Sequence, residues 1–396
     1  AHLTGYLGEV TQAMIDANPE RDYQAGETAG RSGLEMGLEA ELRGEPGYRL
    51  FVETDTEPSR LFLERTVKNG SDVELTIDAG WQRLAYEVLG GGKGAFVVLD
   101  ARTGEVLVLA SSPSYDPNEF IAGISQNRWQ QLSSDPGQPM FNRSLQGAYP
   151  PGSVFKVITA SAALDLDLCS VTSEFDDSGE LRVQGNPIRN FQNEVFGEHS
   201  FADALIRSIN TTMAQVGLTL GAENLRSYFT KWGLDQKHDF RLPASAGDIG
   251  SPERSQVALA WSAIGQDRVL VTPLVVAEIF TAFVNEGAVP EPTLFKRDDP
   301  PAMRQVIKPE TAALMSELLA EVVVSGTGRQ AMVEGLQIFG KTGTAETGRG
   351  TSHGWFGGYV FGVAGRDLAF AVLVEDGGVG GQVAAPLVSE FFSKVE

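Results

Sequence analysis

Between residues 153 and 324 the apolar side chains recur about every 3.6 positions. The stretches 153–166, 200–207, 211–221, 252–264, 272–286 and 309–324 each show one apolar face, and each predicts a helix. On both sides of this region the pattern changes to strands. Residues 95–100 and 105–111 are short apolar runs joined by Ala101-Arg102-Thr103-Gly104, a hairpin signal. Strand-like runs return at 335–343, 353–361 and 368–375, and a closing helix is predicted at 385–395. Strands at both ends that enclose a run of helices predict one α+β domain whose sheet is completed by the C-terminal part.

Ahead of the first hairpin, 73–77 alternates like a strand and Asp78 suits a helix N-cap. Trp81, Leu84, Ala85, Val88 and Leu89 then share one helical face, which the glycine-rich 90–94 ends. The Pro/Ser/Asp/Asn-rich stretch 112–152 predicts mostly loop. Residues 1–68 are more polar, with loop signals around short helical pieces at 8–17 and 32–43. The turn cluster Asn69-Gly70-Ser71-Asp72 marks the change of pattern. The expected organisation is a small module over 1–68 and a larger domain over 69–396.

Composition narrows the functions. The 396 residues allow two or three domains able to bury a core, and 42% hydrophobic with 21% charged residues is a globular balance. Fifty-two acidic against 31 basic side chains leave a charge of −21, which repels nucleic-acid phosphates and anionic headgroups. The single cysteine, Cys169, cannot form an intrachain disulfide, and with four scattered histidines it gives no zinc pattern; no metal or cofactor is expected. No run of 18 apolar residues occurs, and the first residues lack a signal-peptide layout.

The most informative segment is Pro150-Pro151-Gly152-Ser153-Val154-Phe155-Lys156. Ser153 opens an apolar-periodic helix, where unpaired backbone N–H groups are able to stabilise an oxyanion. Lys156 lies one turn on and on the same face, within reach of the serine hydroxyl. Such a lysine activates a serine only when its neutral form is populated, and burial or a neighbouring cation brings that about. Taken alone, the tetrapeptide also fits an N-cap serine with a solvated lysine. No other lysine of the chain has a serine three residues before it.

Two further segments add to it. Lys341-Thr342-Gly343-Thr344 follows the strand-like run 336–340: a lysine for positive charge, hydroxyls for a carboxylate, and a glycine that lets another chain approach the backbone. By itself it also fits a polar turn after a strand. Ser208-Ile209-Asn210 opens a helix with a hydroxyl to relay a proton and an amide to orient a substrate. Ser125-Gln126-Asn127 has the same spacing, so only position selects Ser208.

In the order Ser153-x-x-Lys156, Ser208-x-Asn210, Lys341-Thr342-Gly343, the three motifs resemble those of the penicillin-recognising serine acyltransferases. The flanks Tyr149-Pro150-Pro151-Gly152, Ser325-Gly326-Thr327-Gly328 and His353-Gly354-Trp355-Phe356 are similar too. Within that group the chain resembles class B penicillin-binding proteins, because Gly30-Arg31-Ser32-Gly33-Leu34-Glu35 and Leu42-Arg43-Gly44-Glu45-Pro46-Gly47 look like the end of their pedestal, or dimerisation, domain, and Leu75-Thr76-Ile77-Asp78 like the entry to their transpeptidase domain.

The resemblance implies a five-stranded antiparallel sheet flanked by helices with an inserted all-helical region, and a small truncated pedestal in front. It implies a D,D-transpeptidase that acylates Ser153 with a D-Ala-D-Ala stem peptide, with Lys156 as general base and Ser208 and Lys341 relaying the proton. Asn210 would hold the substrate amide, Thr342, Gly343 and Thr344 its carboxylate end, and the N–H groups of Ser153 and Thr344 the oxyanion. β-Lactams would acylate the same serine. The resemblance further implies a SEDS-family glycan polymerase as partner, and an extracytoplasmic location with a membrane anchor ahead of Ala1. Competing expectations are a β-lactamase, a β-lactam-sensing receptor domain and a non-catalytic scaffold; elongation and division roles stay undistinguished.

Overall fold

A computed structural model describes residues 1–53, 59–348 and 350–395. Residues 54–58, inside the expected front module, and 349 and 396, inside the expected larger domain, lie outside the described residues. The chain forms two compact units that are not continuous in sequence. One comprises Ala1–Leu75, Ser114–Met140 and Arg241–Pro243, and the other Thr76–Pro113, Phe141–Phe240 and Ala244–Glu396.

In the second unit the first elements are α1 (Ala79–Leu89), β1 (Gly94–Asp100), β2 (Val106–Ser112), α2 (Lys156–Asp165) and α3 (Asn210–Leu220). They are followed by α4 (Pro273–Val284), α5 (Pro309–Val324), β3 (Ile338–Glu346), β4 (Ser352–Val363), β5 (Arg366–Val374) and α6 (Ala385–Phe392). The strands form one antiparallel sheet in the order β3-β4-β5-β1-β2, so that the C-terminal strands complete the N-terminal hairpin.

β1 and β2 are buried along their whole length, which is why they read as continuous apolar runs and not as alternating ones. α4 packs against β1, β4 and β5. α1 and α6 pack together, and their Ala85, Val88, Val388 and Phe391 join Phe96, Val98, Phe370 and Val372 of the sheet in one core. Asp78 caps α1 by accepting from the Trp81 N–H, as its position predicts.

Several expected elements differ. The alternating stretch 73–77 is not a strand: the Thr76 N–H bonds the Leu294 carbonyl, and its hydroxyl is shared between the carbonyls of Val106 and Thr293. Strand β3 does not end at residue 343 but runs to Glu346, which puts Lys341 to Thr344 inside it. The inserted region is not all helical as expected: it is mainly helical, including Ala222–Lys231, which the pattern reading passed over, but short strands pair within it. Among the described residues it holds four antiparallel ladders: Glu174–Asp177 with Gly197–Ser200, Glu180–Val183 with Asn186–Arg189, Asp248–Ile249 with Val269–Leu270, and Ala288–Pro290 with Met303–Gln305.

In the first unit the expected helix 8–17 starts at Gln12, because Leu7–Glu9 pairs with Thr28–Gly30. The expected helix 32–43 breaks at Leu38, leaving Gly33–Gly37 and Glu39–Leu42. A hairpin of Tyr48–Val52 with Arg60–Arg65, exposed throughout, was not expected. The loop-rich stretch contains the helix Gln126–Ser134, capped by Ser125. Among the described residues no helix is long and apolar enough to cross a membrane.

Candidate active site

Two prolines and a glycine set the start of the site. Gly152 adopts φ +55°, a conformation costly for residues with a Cβ, and its N–H bonds the Gly265 carbonyl. The 3₁₀ turn Gly152–Phe155 follows and runs directly into α2. In a 3₁₀ turn, positions i and i+3 eclipse, so Ser153 and Lys156 are stacked one above the other; the Lys156 N–H bonds the Ser153 carbonyl. The N–H of Ser153, at the turn's start, has no partner within the turn.

The segment before Ser153 is tied to the sheet. Tyr149 exchanges two 2.9 Å backbone hydrogen bonds with Val271, and the indole N–H of Trp355 on β4 donates to the Pro150 carbonyl at 3.0 Å. The Tyr149 hydroxyl donates to Glu375 at 2.5 Å, and Arg143 pairs with the same carboxylate at 3.2 Å.

Edge strand β3 lies against the serine turn. A Cβ added to Gly343 would come within 2.7 Å of the Pro151 carbonyl oxygen and 2.8 Å of Val154 Cγ2, so only glycine permits this approach. One built on Gly152 would meet the Thr344 carbonyl oxygen at 2.6 Å, so the Thr344 carbonyl points away from β4 and toward the serine turn. In a strand, the N–H of a residue projects to the same edge as its C=O. The N–H of Thr344 therefore faces the turn as well.

Lys156 is fully buried, and its Nζ donates to the Ser208 carbonyl at 2.6 Å, the Ser208 Oγ at 3.2 Å and Asn210 Oδ1 at 2.6 Å. Burial pushes its pKa well below the usual lysine value, and the charge of Lys341 pushes it further down. Lys341 is also fully buried; its Nζ donates to the Thr342 carbonyl at 3.2 Å, and burial lowers its pKa to about 7. A lowered pKa raises the share of the neutral amine, which has two N–H donors and a lone pair able to take a proton from a serine.

Ser153, Ser208, Asn210, Thr342 and Thr344 line one cleft of about 510 Å³, whose other walls include Arg189, Trp261, Gln266 and Thr327. Lys156 and Lys341 are buried and are joined to this lining by their bonds to Ser208, Asn210 and Thr342. All the predicted positions are thus brought to one place by α2, the start of α3 and β3. Thr327 belongs to this cleft although pattern reading gave it no role: its hydroxyl is 2.6 Å from that of Thr342. The only signal for it was the segment Ser325-Gly326-Thr327-Gly328. The Thr344 hydroxyl accepts the Gly380 N–H at 3.2 Å and keeps its own proton to donate.

Residues 94–393 match the model of the penicillin binding protein transpeptidase domain, and residues 1–75 that of the penicillin-binding protein dimerisation domain. The chain is 32% identical over 392 residues to penicillin-binding protein 3 of Bacillus subtilis, across 95% of this chain and 58% of that protein. It is 30% identical to the peptidoglycan D,D-transpeptidase MrdA of Acinetobacter baumannii, across 97% of this chain and 63% of that protein. The chain therefore spans about three fifths of the length of these curated relatives. Among solved structures, penicillin-binding protein A of Mycobacterium tuberculosis, as a ceftriaxone acyl-enzyme, superposes with a TM-score of 0.76 at 31% identity, covering 83% of this chain and 80% of that one.

Proposed function

This chain belongs to the penicillin-binding protein transpeptidase family, and from that premise we propose that it is a serine peptidoglycan D,D-transpeptidase acylated by β-lactams. The observation that carries the reading is the fully buried Lys156 amine, one 3₁₀ turn from Ser153 and hydrogen-bonded to Ser208 and Asn210, which line one cleft with Ser153 and β3.

In this reading Ser153 Oγ attacks the carbonyl of the penultimate D-alanine of a stem peptide while Lys156 takes the hydroxyl proton. The oxyanion is held by the N–H groups of Ser153 and Thr344; losing one donor of such a pair costs roughly 100- to 1000-fold in rate. The tetrahedral adduct collapses with cleavage of the D-Ala–D-Ala bond, and the proton reaches the leaving amine through Ser208 and Lys341. An acceptor amine then displaces Ser153 from the ester and forms the cross-link. Asn210 orients the substrate amide, Thr342 and Thr344 receive the terminal carboxylate, and Gly343 lets the peptide lie along the edge of β3.

The dimerisation-domain match over 1–75 supports this reading over a β-lactamase, which has no use for such a module. The larger domain over 69–396, an extracytoplasmic location with a membrane anchor, and a SEDS-family glycan polymerase as partner belong to the same proposal. The test offers the protein a D-Ala-D-Ala stem peptide with an acceptor amine, and follows decay of a labelled penicillin adduct. Cross-linked product with a long-lived adduct is expected; rapid release without cross-linking would mark a β-lactamase.

A further inference from the structure

Helix α3 begins at Asn210, and Ile209 before it has no side chain able to cap the first turn. The cap comes from elsewhere in the chain. Asn190, only 5% exposed, accepts at Oδ1 the N–H of Asn210 at 2.9 Å and of Thr211 at 3.1 Å. Its Nδ2 donates to Asp177 Oδ2 at 2.7 Å and to the Glu194 carbonyl at 3.1 Å.

Asp177 is 3% exposed, and accepts as well from the Thr211 hydroxyl at 2.6 Å and the N–H groups of Gly179 and Phe196 at 2.9 Å. Burial alone would push this carboxyl up, yet the hydrogen bonds together hold its pKa below the usual value. A carboxylate only accepts, so Asp177 fixes which way the Asn190 amide points: nitrogen toward Asp177, oxygen toward the helix.

The corner that Asn190 caps is itself strained. Ser208 sits at φ +63°, a left-handed conformation that is unfavourable for a non-glycine residue and persists only where the surroundings enforce it. On its N-terminal side the corner is held by bonds from Ser208 N–H to Leu205 and from Ile209 N–H to Ala204. On its C-terminal side it is held by Asn190 and by the bond from Asn210 Nδ2 to the Arg189 carbonyl at 2.9 Å. All three hydrogen bonds given above for the Lys156 amine go to Ser208 and Asn210.

We infer that Asn190, oriented by Asp177, is a positioning residue that holds the Ser208–Asn210 corner against Lys156 and so sets the rate at which Ser153 is acylated. This inference rests on the proposed reading of Ser153 and Lys156.

The test measures, for each variant, the acylation rate constant with a fluorescent penicillin and the final label per chain. Asn190→Ala removes the cap. Asp177→Ala removes the carboxylate that orients it, and the double variant Asn190→Ala with Asp177→Ala shows whether the two act as one. Both single variants are expected to acylate roughly 10- to 100-fold more slowly, the scale of loss that a misplacement of about 1 Å brings. Final labelling should stay near one per chain, whereas a merely structural role would lower the labelled fraction and leave the rate of the folded molecules unchanged.

The double variant should acylate no more slowly than the slower single variant, because Asp177 acts through Asn190. The rate of Asp177→Ala decides alone if Asn190→Ala fails to fold. Wild-type rates in the single variants, or losses that multiply in the double, would overturn the inference. A wild-type protein that takes no label at Ser153 would instead overturn the reading of the site.

Discussion

Gly343→Ala is the smallest change that should separate the nucleophile from its strand. The new methyl group would lie 2.7 Å from the Pro151 carbonyl oxygen, 2.8 Å from Val154 Cγ2 and 3.0 Å from Trp355 Cβ, where ordinary contact begins at 3.4 Å. The neighbours are backbone, a buried valine and the Cβ of a fully buried tryptophan, none of them a flexible chain end. Either β3 or the serine turn must therefore retreat by about 0.7 Å, at the 1–3 kcal/mol typical of overpacking. That retreat moves the Thr344 N–H away from Ser153, and a shift of this order costs on the order of 10- to 100-fold in rate.

Stopped-flow acylation by a fluorescent penicillin reads the second effect, and a thermal melt the first, as a fall of about 2–10 °C. Gly92→Ala is the control, since its Cβ would meet only the Leu89 carbonyl, at 3.4 Å. If Gly343→Ala acylates and melts like the wild type, the close approach of strand and turn is not what organises the site.

Other changes test other parts. Lys156→Met should lower acylation roughly 100- to 10,000-fold, the usual range for a lost general base, without loss of the fold, as read by labelling rate and circular dichroism. In the wild type, acylation should persist far below the pH at which an ordinary lysine deprotonates, and fall as the pH drops through the lowered Lys156 value. Lys341 predicts a stability trend. With a folded pKa of about 7 against the ordinary 10.5, the folded state binds fewer protons than the unfolded one between those values. The penalty is absent above the unfolded pKa, accrues as the pH falls through this window, and is complete below about 7, amounting to at most about 5 kcal/mol. Denaturant melts should show stability rising from neutral to alkaline pH, and Lys341→Met should flatten that rise. Tyr149→Phe removes the 2.5 Å bond to Glu375 and should destabilise by about 1–3 kcal/mol, seen as a lower melting temperature.

Much of this was legible in the sequence because the chemistry is local. Ser153 and Lys156 share one turn, so their stacking follows from spacing alone, and β1 and β2 announce themselves as continuous apolar runs because helices cover both faces. Edge strand β3 was found over 335–343 but ended too early: it runs on through Thr344 to Glu346, where polar residues carry no apolar pattern. The acceptors of the Lys156 amine lie more than 50 residues away in sequence and depend on one serine taking a left-handed backbone, which no local pattern encodes.

Asn190 and Asp177 were invisible for a similar reason. Asp177 ends one short polar ladder and Asn190 follows another, in a stretch the pattern reading left unassigned, and Asn190 matters because it caps a helix that starts 20 residues later. The exposed hairpin of Tyr48–Val52 with Arg60–Arg65 escaped the pattern reading because no face of it is buried, which leaves no alternation of apolar and polar positions to detect.

The central claim is that the hydroxyl of Ser153 is the nucleophile of this cleft. Mass spectrometry of the intact protein after exposure to penicillin, followed by peptide mapping, tests it most directly. The account predicts one adduct per chain on the peptide that contains Ser153, and none in Ser153→Ala. An adduct on any other residue, or one that survives in Ser153→Ala, would contradict it.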